Sequence, residues 1–156
     1  MIINIITVGH KVPNWVEIAV DDFIKRFPPE LKINLIQIPL IKRGKNPDIR
    51  RIMRDEGSKI IAAVPLKNLQ VALDVKGRKV DTETLSQLLK QWVEQGQDVS
   101  IIIGGPDGLS EEVLNGSALK LSMSDLTFPH TLVKVMLVEQ LYRAWSILKN
   151  HPYHRA

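Results

Sequence analysis

The chain has 156 residues, of which 44% are hydrophobic and 24% are charged, and it contains no cysteine. This length suits one domain with its own core, and the composition excludes a disordered chain. The lack of cysteine excludes a disulfide framework, a cysteine nucleophile and a cysteine-based metal site, and it fits a reducing compartment. The net charge of +4 permits an anionic partner without requiring one, because solubility alone would explain it.

The amino-terminal residues, MIINIITVGH, indicate a soluble protein of the cytoplasm. No basic segment precedes the apolar run and no cleavage site follows it, so we predict a buried strand and no signal peptide. No apolar run in the chain approaches the roughly 20 residues that a membrane-spanning helix needs. We therefore expect a cytoplasmic location and no membrane partner.

Hydrophobic patterning predicts that strands and helices alternate along the chain. Short continuous apolar runs are typical of strands buried on both faces, whereas apolar residues three and four positions apart are typical of helices. In chain order, the first half contains a strand at residues 2–8, a helix from Asn14, a strand at 31–38, a basic helix capped by Asn46 with Pro47 in its first position, and a strand at 69–75 that ends in a turn at Lys76 and Gly77.

The second half of the chain continues the alternation. It contains a helix capped by Asp81, a strand at 99–103, a short helix from Ser110, a strand at 119–123 and a long helix from Pro129. The order of elements predicts a single α/β domain over residues 1–156, with a mainly parallel sheet flanked by helices.

The last predicted helix has a wider apolar face than one domain can cover. At 100° per residue, its apolar side chains between Val133 and Leu148 occupy an arc of roughly 200°, and only Lys134 interrupts it. Part of this face can pack on the sheet, and the remainder needs a second cover. In a domain this small we expect the same helix of a second subunit there, which makes the protein a two-fold homodimer.

Basic residues are concentrated in two windows of the chain. Six lysines and arginines lie between residues 42 and 54, and a second group, which includes histidines, lies between residues 143 and 155. The two groups together could form one phosphate-binding surface, although a solvated helix face and a solvated tail would have the same sequence pattern.

Three further segments contain candidate functional groups. Gly104 and Gly105 follow the fourth strand, at the sheet edge where parallel sheets bind ligands, but GGPDG has the spacing of neither a dinucleotide fingerprint nor a phosphate-binding loop, which favours a simple tight turn. The polar loop at 122–128 could bind an adenine edge or a ribose, or only connect two elements. The tail at 150–155 combines a stacking ring, imidazoles and a guanidinium, unless it is disordered.

Two classes of chemistry have little support. The four histidines are not closely paired, so the sequence predicts no metal site. No GxSxG motif presents a serine nucleophile, which argues against a hydrolase of that type.

Four strings of the sequence together resemble the ribosomal large-subunit pseudouridine N3-methyltransferases, a family within the SPOUT superfamily. They are IIGGPDG at 102–108, LSMSDLTFPH at 121–130, EQLYRAWSI at 139–147 and NHPYHR at 150–155. The last two are highly specific in combination, and the resemblance covers essentially the whole chain. One departure is Ala156, where tails of this family often end in an acidic residue.

The resemblance implies a fold, a cofactor and a substrate. The fold is an α/β trefoil knot in a homodimer, the cofactor is S-adenosylmethionine, and the substrate is N3 of a pseudouridine in 23S rRNA on the assembled ribosome. By position, the residues against the cofactor are Leu73, Gly104, Met123, Ser124, Asp125, Leu126, Thr127 and Phe128. No metal is implied.

The resemblance also implies that the tail of the partner subunit completes the active site. Tyr153 would stack on the base, and Arg155 with the basic residues at 42–54 would hold phosphates. His154 is the candidate for removing the N3 proton, with an aspartate or water as alternatives. We expect His154→Ala to retain cofactor binding and to lose much of the turnover.

Two other functions remain open from the sequence. One is a SPOUT enzyme that methylates the ribose 2′-hydroxyl of tRNA, but such enzymes usually supply an arginine from the N-terminal half of the domain, and the tail would have no explanation. The other is a ribosome-binding assembly factor without catalysis, which saturable binding of S-adenosylmethionine would argue against.

Overall fold

The centre of the fold is a sheet of five parallel strands. The computed structural model describes residues 1–9 and 12–155, so His10, Lys11 and Ala156 lie outside the described residues. The strands are β1 (Ile2–Val8), β2 (Lys32–Ile38), β3 (Leu69–Lys79), β4 (Val99–Ile103) and β5 (Leu119–Ser122). Their order across the sheet is β2-β1-β4-β3-β5, and every pair of neighbours is parallel.

Helices cover both faces of the sheet. They are α1 (Asn14–Ile24), α2 (Ile49–Ala63), α3 (Thr82–Glu94), α4 (Glu111–Asn115) and α5 (His130–Leu148). The larger core cluster joins α1, α3 and α5 to one face, and a smaller cluster joins α2 and α4 to the other. Central strands β1 and β4 are buried on both faces, which explains why their sequences are apolar without alternation. The predicted fold class, a mainly parallel sheet flanked by helices, is confirmed.

Most predicted element boundaries agree with the structure within one residue, but the start of α2 is wrong. The cap is Asp48, whose side chain accepts a hydrogen bond from the backbone N–H of Arg51 at 3.2 Å. Asn46 and Pro47 both lie before the helix. Asn46 followed by Pro47 satisfies the capping pattern in sequence, but Asp48 offers the same chemistry two residues later, directly before the first apolar residue, Ile49.

The predicted end of the third strand is also wrong. Instead of turning away at Lys76 and Gly77, β3 bulges after Leu73 and pairs with β5 again from Arg78 onward. Gly77 permits this return, because a Cβ there would lie 2.7 Å from the carbonyl carbon of Lys120. The bulge matters for function, since its residues form one wall of the cavity described below.

Apolar surface remains uncovered along α5 and the neighbouring helix α1. Val133, Val135, Trp145 and Leu148 on α5 are only half-buried, and Trp15 and Ile18 on α1 are 55% and 66% exposed. Half-burial also lowers the pKa of Lys134, because desolvation outweighs the attraction of Glu17 and Asp21 on α1. Within the described ranges, no helix combines the length and apolarity needed to cross a membrane.

Candidate active site

A cavity of about 620 Å³ opens at the carboxyl ends of β3, β4 and β5. Its walls are the β3 bulge, the loop after β4, the loop after β5 and the first turns of α5. Parallel sheets bind ligands at this edge because the loops diverge there and leave a crevice. The residues predicted to contact a cofactor that line the cavity are Leu73, Gly104, Met123, Ser124, Leu126, Thr127 and Phe128.

Asp125 is the predicted cofactor residue that does not line this cavity. It lies in the same loop as its neighbours, but its carboxylate is exposed and pairs with Lys79 at 2.9 Å. This ion pair ties the loop after β5 to the last residue of β3. In the structure, the Asp125 side chain therefore lies outside the cavity lining.

Residues 104–108, the glycine turn, form the floor of the cavity after β4. The backbone N–H of Gly108 donates to the carbonyl of Gly105 at 3.0 Å, which closes the turn. Gly108 has a φ of +81°, a conformation that favours glycine, and a Cβ on Gly104 would lie 2.8 Å from the carbonyl carbon of Gly108. The segment is thus a tight turn and also a cavity wall, so the two interpretations of GGPDG do not compete.

The loop after β5 is held in shape by its own serines. Ser122 donates to the carbonyl of Ser124 at 3.1 Å, and Ser124 Oγ accepts from the N–H of Leu126 at 2.9 Å. Leu126 is 69% exposed at the cavity. An exposed leucine can pack on the flat apolar face of a ligand, while the neighbouring peptide groups form hydrogen bonds with the polar edge of the same ligand.

Sequence patterns missed several residues of this site. The bulge residues 74–76 line the cavity, and so do His130, Val133 and Met136 on α5. The bulge could not be found because a lysine followed by glycine is a common turn signal. The three α5 residues could have been found from the sequence, because they lie three positions apart on one side of the helix, just after the proline that precedes it.

The predicted phosphate-binding residues of segment 42–54 separate into two kinds. Arg50, Arg51 and Arg54 lie on the exposed side of α2. Arg43 instead packs inward, where it contacts Glu56 and Asp107. The hydrogen bond to Glu56 raises the pKa of Arg43 despite its desolvation. Arg43 therefore differs in environment from its basic neighbours, although nothing in the local sequence distinguishes it.

The tail, residues 150–155, packs on α5. The Tyr153 hydroxyl donates to Glu139 Oε1 at 2.9 Å, and the Tyr153 ring lies 4.8 Å from the Tyr142 ring in an edge-on arrangement. Arg143 forms a fork onto Glu139 at 2.6 and 2.9 Å and lies over the Tyr153 ring. Burial, with the Glu139 hydrogen bond second, raises the pKa of Tyr153.

The tail residues do not reach the cavity of their own chain. His154 is held near α5, with its Nδ1 atom 3.4 Å from Arg143 Nη1, and Arg155 is exposed. None of Tyr153, His154 and Arg155 lines the cavity. Arg143 lies seven residues beyond Met136, the last α5 residue of the cavity, which is about 10 Å along the helix. Within residues 1–9 and 12–155, no three His, Asp or Glu side chains are grouped to hold a metal ion.

Comparison with known proteins gives two long matches. The family described as "Predicted SPOUT methyltransferase" matches this chain over residues 1–154. The ribosomal RNA large subunit methyltransferase H of Thioalkalivibrio sulfidiphilus is 47% identical to it over 155 residues, which is 99% of each chain. The family match includes the cavity, the loops around it and the tail as far as residue 154.

Proposed function

The chain belongs to the SPOUT methyltransferase family, and on that premise we propose that it methylates N3 of a pseudouridine in 23S rRNA. In this proposal the donor is S-adenosylmethionine and the substrate is the assembled ribosome in the cytoplasm. The relative from T. sulfidiphilus is named as a methyltransferase of large-subunit ribosomal RNA. The observation that carries the proposal is the convergence of seven residues, implied by the family resemblance to contact the cofactor, on one cavity at the sheet edge.

The cavity suits a cofactor with a flat base, a sugar and a charged chain. Its volume of about 620 Å³ lies within the range of roughly 300–1,000 Å³ typical of small-molecule sites. Leu73, Leu126 and Val133 provide apolar contacts for a base, and the glycine turn offers backbone N–H and C=O groups without side chains to obstruct them. In this proposal the segments 104–108 and 123–128 hold the cofactor.

The work left to the protein is alignment and removal of one proton. S-adenosylmethionine supplies an already activated methyl group, so the walls of the cavity need only fix its direction relative to N3. N3 of pseudouridine is an imide nitrogen that keeps its proton at neutral pH, and a base close to it speeds the reaction. His154 is our candidate, because the family resemblance brings it to the active site and histidine is the side chain that acts most often as a general base. An aspartate or water remains the alternative.

A homodimer is part of this proposal. Two features support it: the half-covered apolar face of α1 and α5, and the distance of about 10 Å along α5 between the tail contacts and the cavity. A partner docked on this face would bring its Tyr153, His154 and Arg155 to the cavity of the first subunit. The trefoil knot implied by the resemblance belongs to the same proposal.

The exposed arginines of α2 are the proposed rRNA contacts. Arg50, Arg51 and Arg54 lie on one side of the helix, and the nearest acidic contact of Arg51 is Asp55 at 3.9 Å in solvent. When exposed arginines bind the phosphates of rRNA, the counterions of the RNA are released into solution. The affinity for rRNA should therefore fall steeply as the salt concentration rises.

The test is transfer of labelled methyl from S-adenosylmethionine to ribosomes that lack their own modification, with naked 23S rRNA and tRNA assayed alongside. We expect label on ribosomes, located on N3 of a pseudouridine by mass spectrometry. Label on the ribose of tRNA would replace the proposal with the tRNA enzyme. Label on none of the three substrates would favour a binding factor without catalysis.

Two glycine variants provide a matched pair for this assay. An alanine at Gly104 would push against the backbone of Gly108, whereas an alanine at Gly44 would meet nothing within 4 Å. We expect Gly104→Ala to lower methyl transfer at least about tenfold, since small displacements in a binding site are costly, and Gly44→Ala to match the wild type. Equal activities would argue that the glycine turn is not part of the site.

A further inference from the structure

Arg43 lies between helix α2 and the glycine turn, and each of its three guanidinium nitrogens contacts an acceptor. Nη1 donates to the carbonyl of Ile41 at 2.8 Å and to Glu56 Oε2 at 2.7 Å, and Nη2 donates to Glu56 Oε1 at 3.1 Å. Nε and Nη2 contact Asp107 Oδ2 at 3.1 and 3.0 Å. Four of the five guanidinium N–H groups are thus in hydrogen bonds, and the fifth lies beside the Asp107 carboxylate, so the protein's own acceptors surround the position that a phosphate would need.

The two carboxylates that hold Arg43 differ in where they lie. The side chain of Glu56 is on α2 with 5% of its surface exposed, and it also accepts from the N–H of Ile41 at 3.1 Å. Asp107 is within the glycine turn, between Pro106 and Gly108, and is 34% exposed. Buried Glu56 thus fixes Arg43, and Arg43 in turn holds the glycine turn through the more exposed Asp107.

The side chain of Asp107 connects the glycine turn to Arg43. The backbone hydrogen bond from Gly108 to Gly105 is internal to the turn. All five of its residues line the cavity. The contact between Asp107 and the buried Arg43–Glu56 pair therefore fixes the position of the glycine turn relative to the sheet.

We propose that Arg43 is a positioning residue of the cofactor site, which acts through Asp107 to hold the glycine turn in place, and that it is not an rRNA ligand. The proposal rests on the proposed function and assigns different tasks to neighbouring arginines. Arg43 serves cofactor binding, whereas the exposed Arg50 and Arg54 serve rRNA binding. It also gives the acidic residue of the GGPDG string a role, since Asp107 anchors the turn.

The first test is Asp107→Ala, which removes the tie and leaves the buried Arg43–Glu56 pair intact. Glu111→Ala is the control, because it removes the same charge from an exposed position four residues away. Titration calorimetry with S-adenosylmethionine should give a dissociation constant at least about tenfold higher for Asp107→Ala and an unchanged one for Glu111→Ala. In turnover assays, KM for S-adenosylmethionine should rise while KM for ribosomes stays constant.

The second test separates Arg43 from the exposed arginines. Arg43→Lys keeps a cation beside Glu56 but cannot span both carboxylates. We expect it to weaken cofactor binding as much as Asp107→Ala does, and the double variant to be no worse than either single one, since both remove the same contact. Arg50→Gln should instead weaken ribosome binding and leave cofactor affinity unchanged. Loss of ribosome binding in Arg43→Lys with normal cofactor affinity would overturn the proposal.

Hydrogen exchange measured without any ligand keeps this test independent of the proposed function. We expect the amides of the glycine turn other than Pro106, which has no N–H, to exchange faster in Asp107→Ala than in Glu111→Ala. If the wild type bound no S-adenosylmethionine, the proposed function would fail while faster exchange still supported the positioning role. Unchanged exchange together with unchanged cofactor affinity would overturn the positioning role alone.

Discussion

Two clusters in this protein use the same chemistry at different depths. In the turn cluster (Arg43, Glu56 and Asp107), the arginine and glutamate side chains are 17% and 5% exposed. In the tail cluster (Glu139, Arg143, Tyr153 and His154), the corresponding pair is 28% and 19% exposed. The turn cluster reaches the cavity of its own chain, and the tail cluster does not. Similar ion pairs thus have two different roles. The Arg43–Glu56 pair supports a wall of the cavity, and the Arg143–Glu139 pair orders tail residues that do not line that cavity.

The largest expected difference between the clusters is in stability. Arg43→Met leaves the buried Glu56 carboxylate without its cation, which should lower the free energy of unfolding by roughly 3–5 kcal/mol. Arg143→Met should cost only about 1 kcal/mol, since Glu139 is more exposed and keeps the Tyr153 hydroxyl. Methionine retains the apolar stem of arginine, so the comparison isolates the charged group. Urea unfolding at pH 7 measures both losses.

Arg50→Met is the control for the stability comparison. Arg50 is exposed on α2, and its replacement should change the free energy of unfolding by no more than about 0.5 kcal/mol. Equal losses of unfolding free energy for Arg43→Met and Arg143→Met would contradict the idea that the deeper burial of the Arg43–Glu56 pair makes it more important for stability.

A smaller effect should distinguish the tail cluster by its response to pH. Burial and the hydrogen bond to Glu139 raise the pKa of Tyr153 above its usual value near 10. A raised pKa means that the folded state favours the protonated hydroxyl, so its contribution is complete below pH 10 and is lost as the pH rises through the folded pKa. Tyr153→Phe should therefore be less stable than the wild type by about 1 kcal/mol at pH 8.

At higher pH the same two proteins should converge. Above about pH 10 the unfolded wild type loses the Tyr153 proton more readily than the folded protein does, which lowers its stability, whereas the phenylalanine variant has nothing to ionise there. Urea unfolding at pH 8 and above pH 10 tests this, with absorbance at 295 nm to follow tyrosine ionisation. A stability difference that stays constant or grows with pH would contradict the contact between Tyr153 and Glu139.

Local signals explain which parts of the fold could be predicted from the sequence. Strands β1 and β4 were predicted to the residue, because continuous apolar runs between polar breaks have few other interpretations. The cap Asp81 was also predicted correctly, and Ser110, where a short helix was predicted to start, is the cap of that helix; each side chain accepts a hydrogen bond from the backbone N–H three residues later. The bulge in β3 was missed, because it depends on close approach to the backbone of β5, which lies more than forty residues further along the chain.

The candidate site was predictable where the residues fall in recognisable strings and unpredictable where it depends on distant contacts. The loop at 123–128 and Gly104 were found from the strings that resemble a known family. Arg43 could not be separated from Arg50, because its partner Asp107 lies 64 residues away. The packing of the tail on α5 was also beyond sequence, since composition alone does not distinguish an ordered histidine-rich segment from a disordered one.

In the proposed dimer, a catalytic site combines the cavity of one subunit with the tail of the other. His154→Ala leaves the cavity intact and Gly104→Ala leaves the tail intact, so each uniform dimer should lose activity. We expect a loss of about 10²–10⁴-fold for His154→Ala if His154 is the base, and of at least about tenfold for Gly104→Ala. A mixed dimer of the two variants, purified with two affinity tags, contains one site with both functional parts. The matched control pairs the wild type with a chain that carries both substitutions, which leaves no such site.

Methyl transfer to ribosomes by these two mixed dimers is the most direct measurement. We expect the dimer of single variants to recover roughly half of the wild-type activity, because one of two symmetric sites is restored, and the control dimer to stay inactive. The opposite outcome, an inactive dimer of single variants and a half-active control, would mean that each tail serves its own cavity and would contradict the shared site.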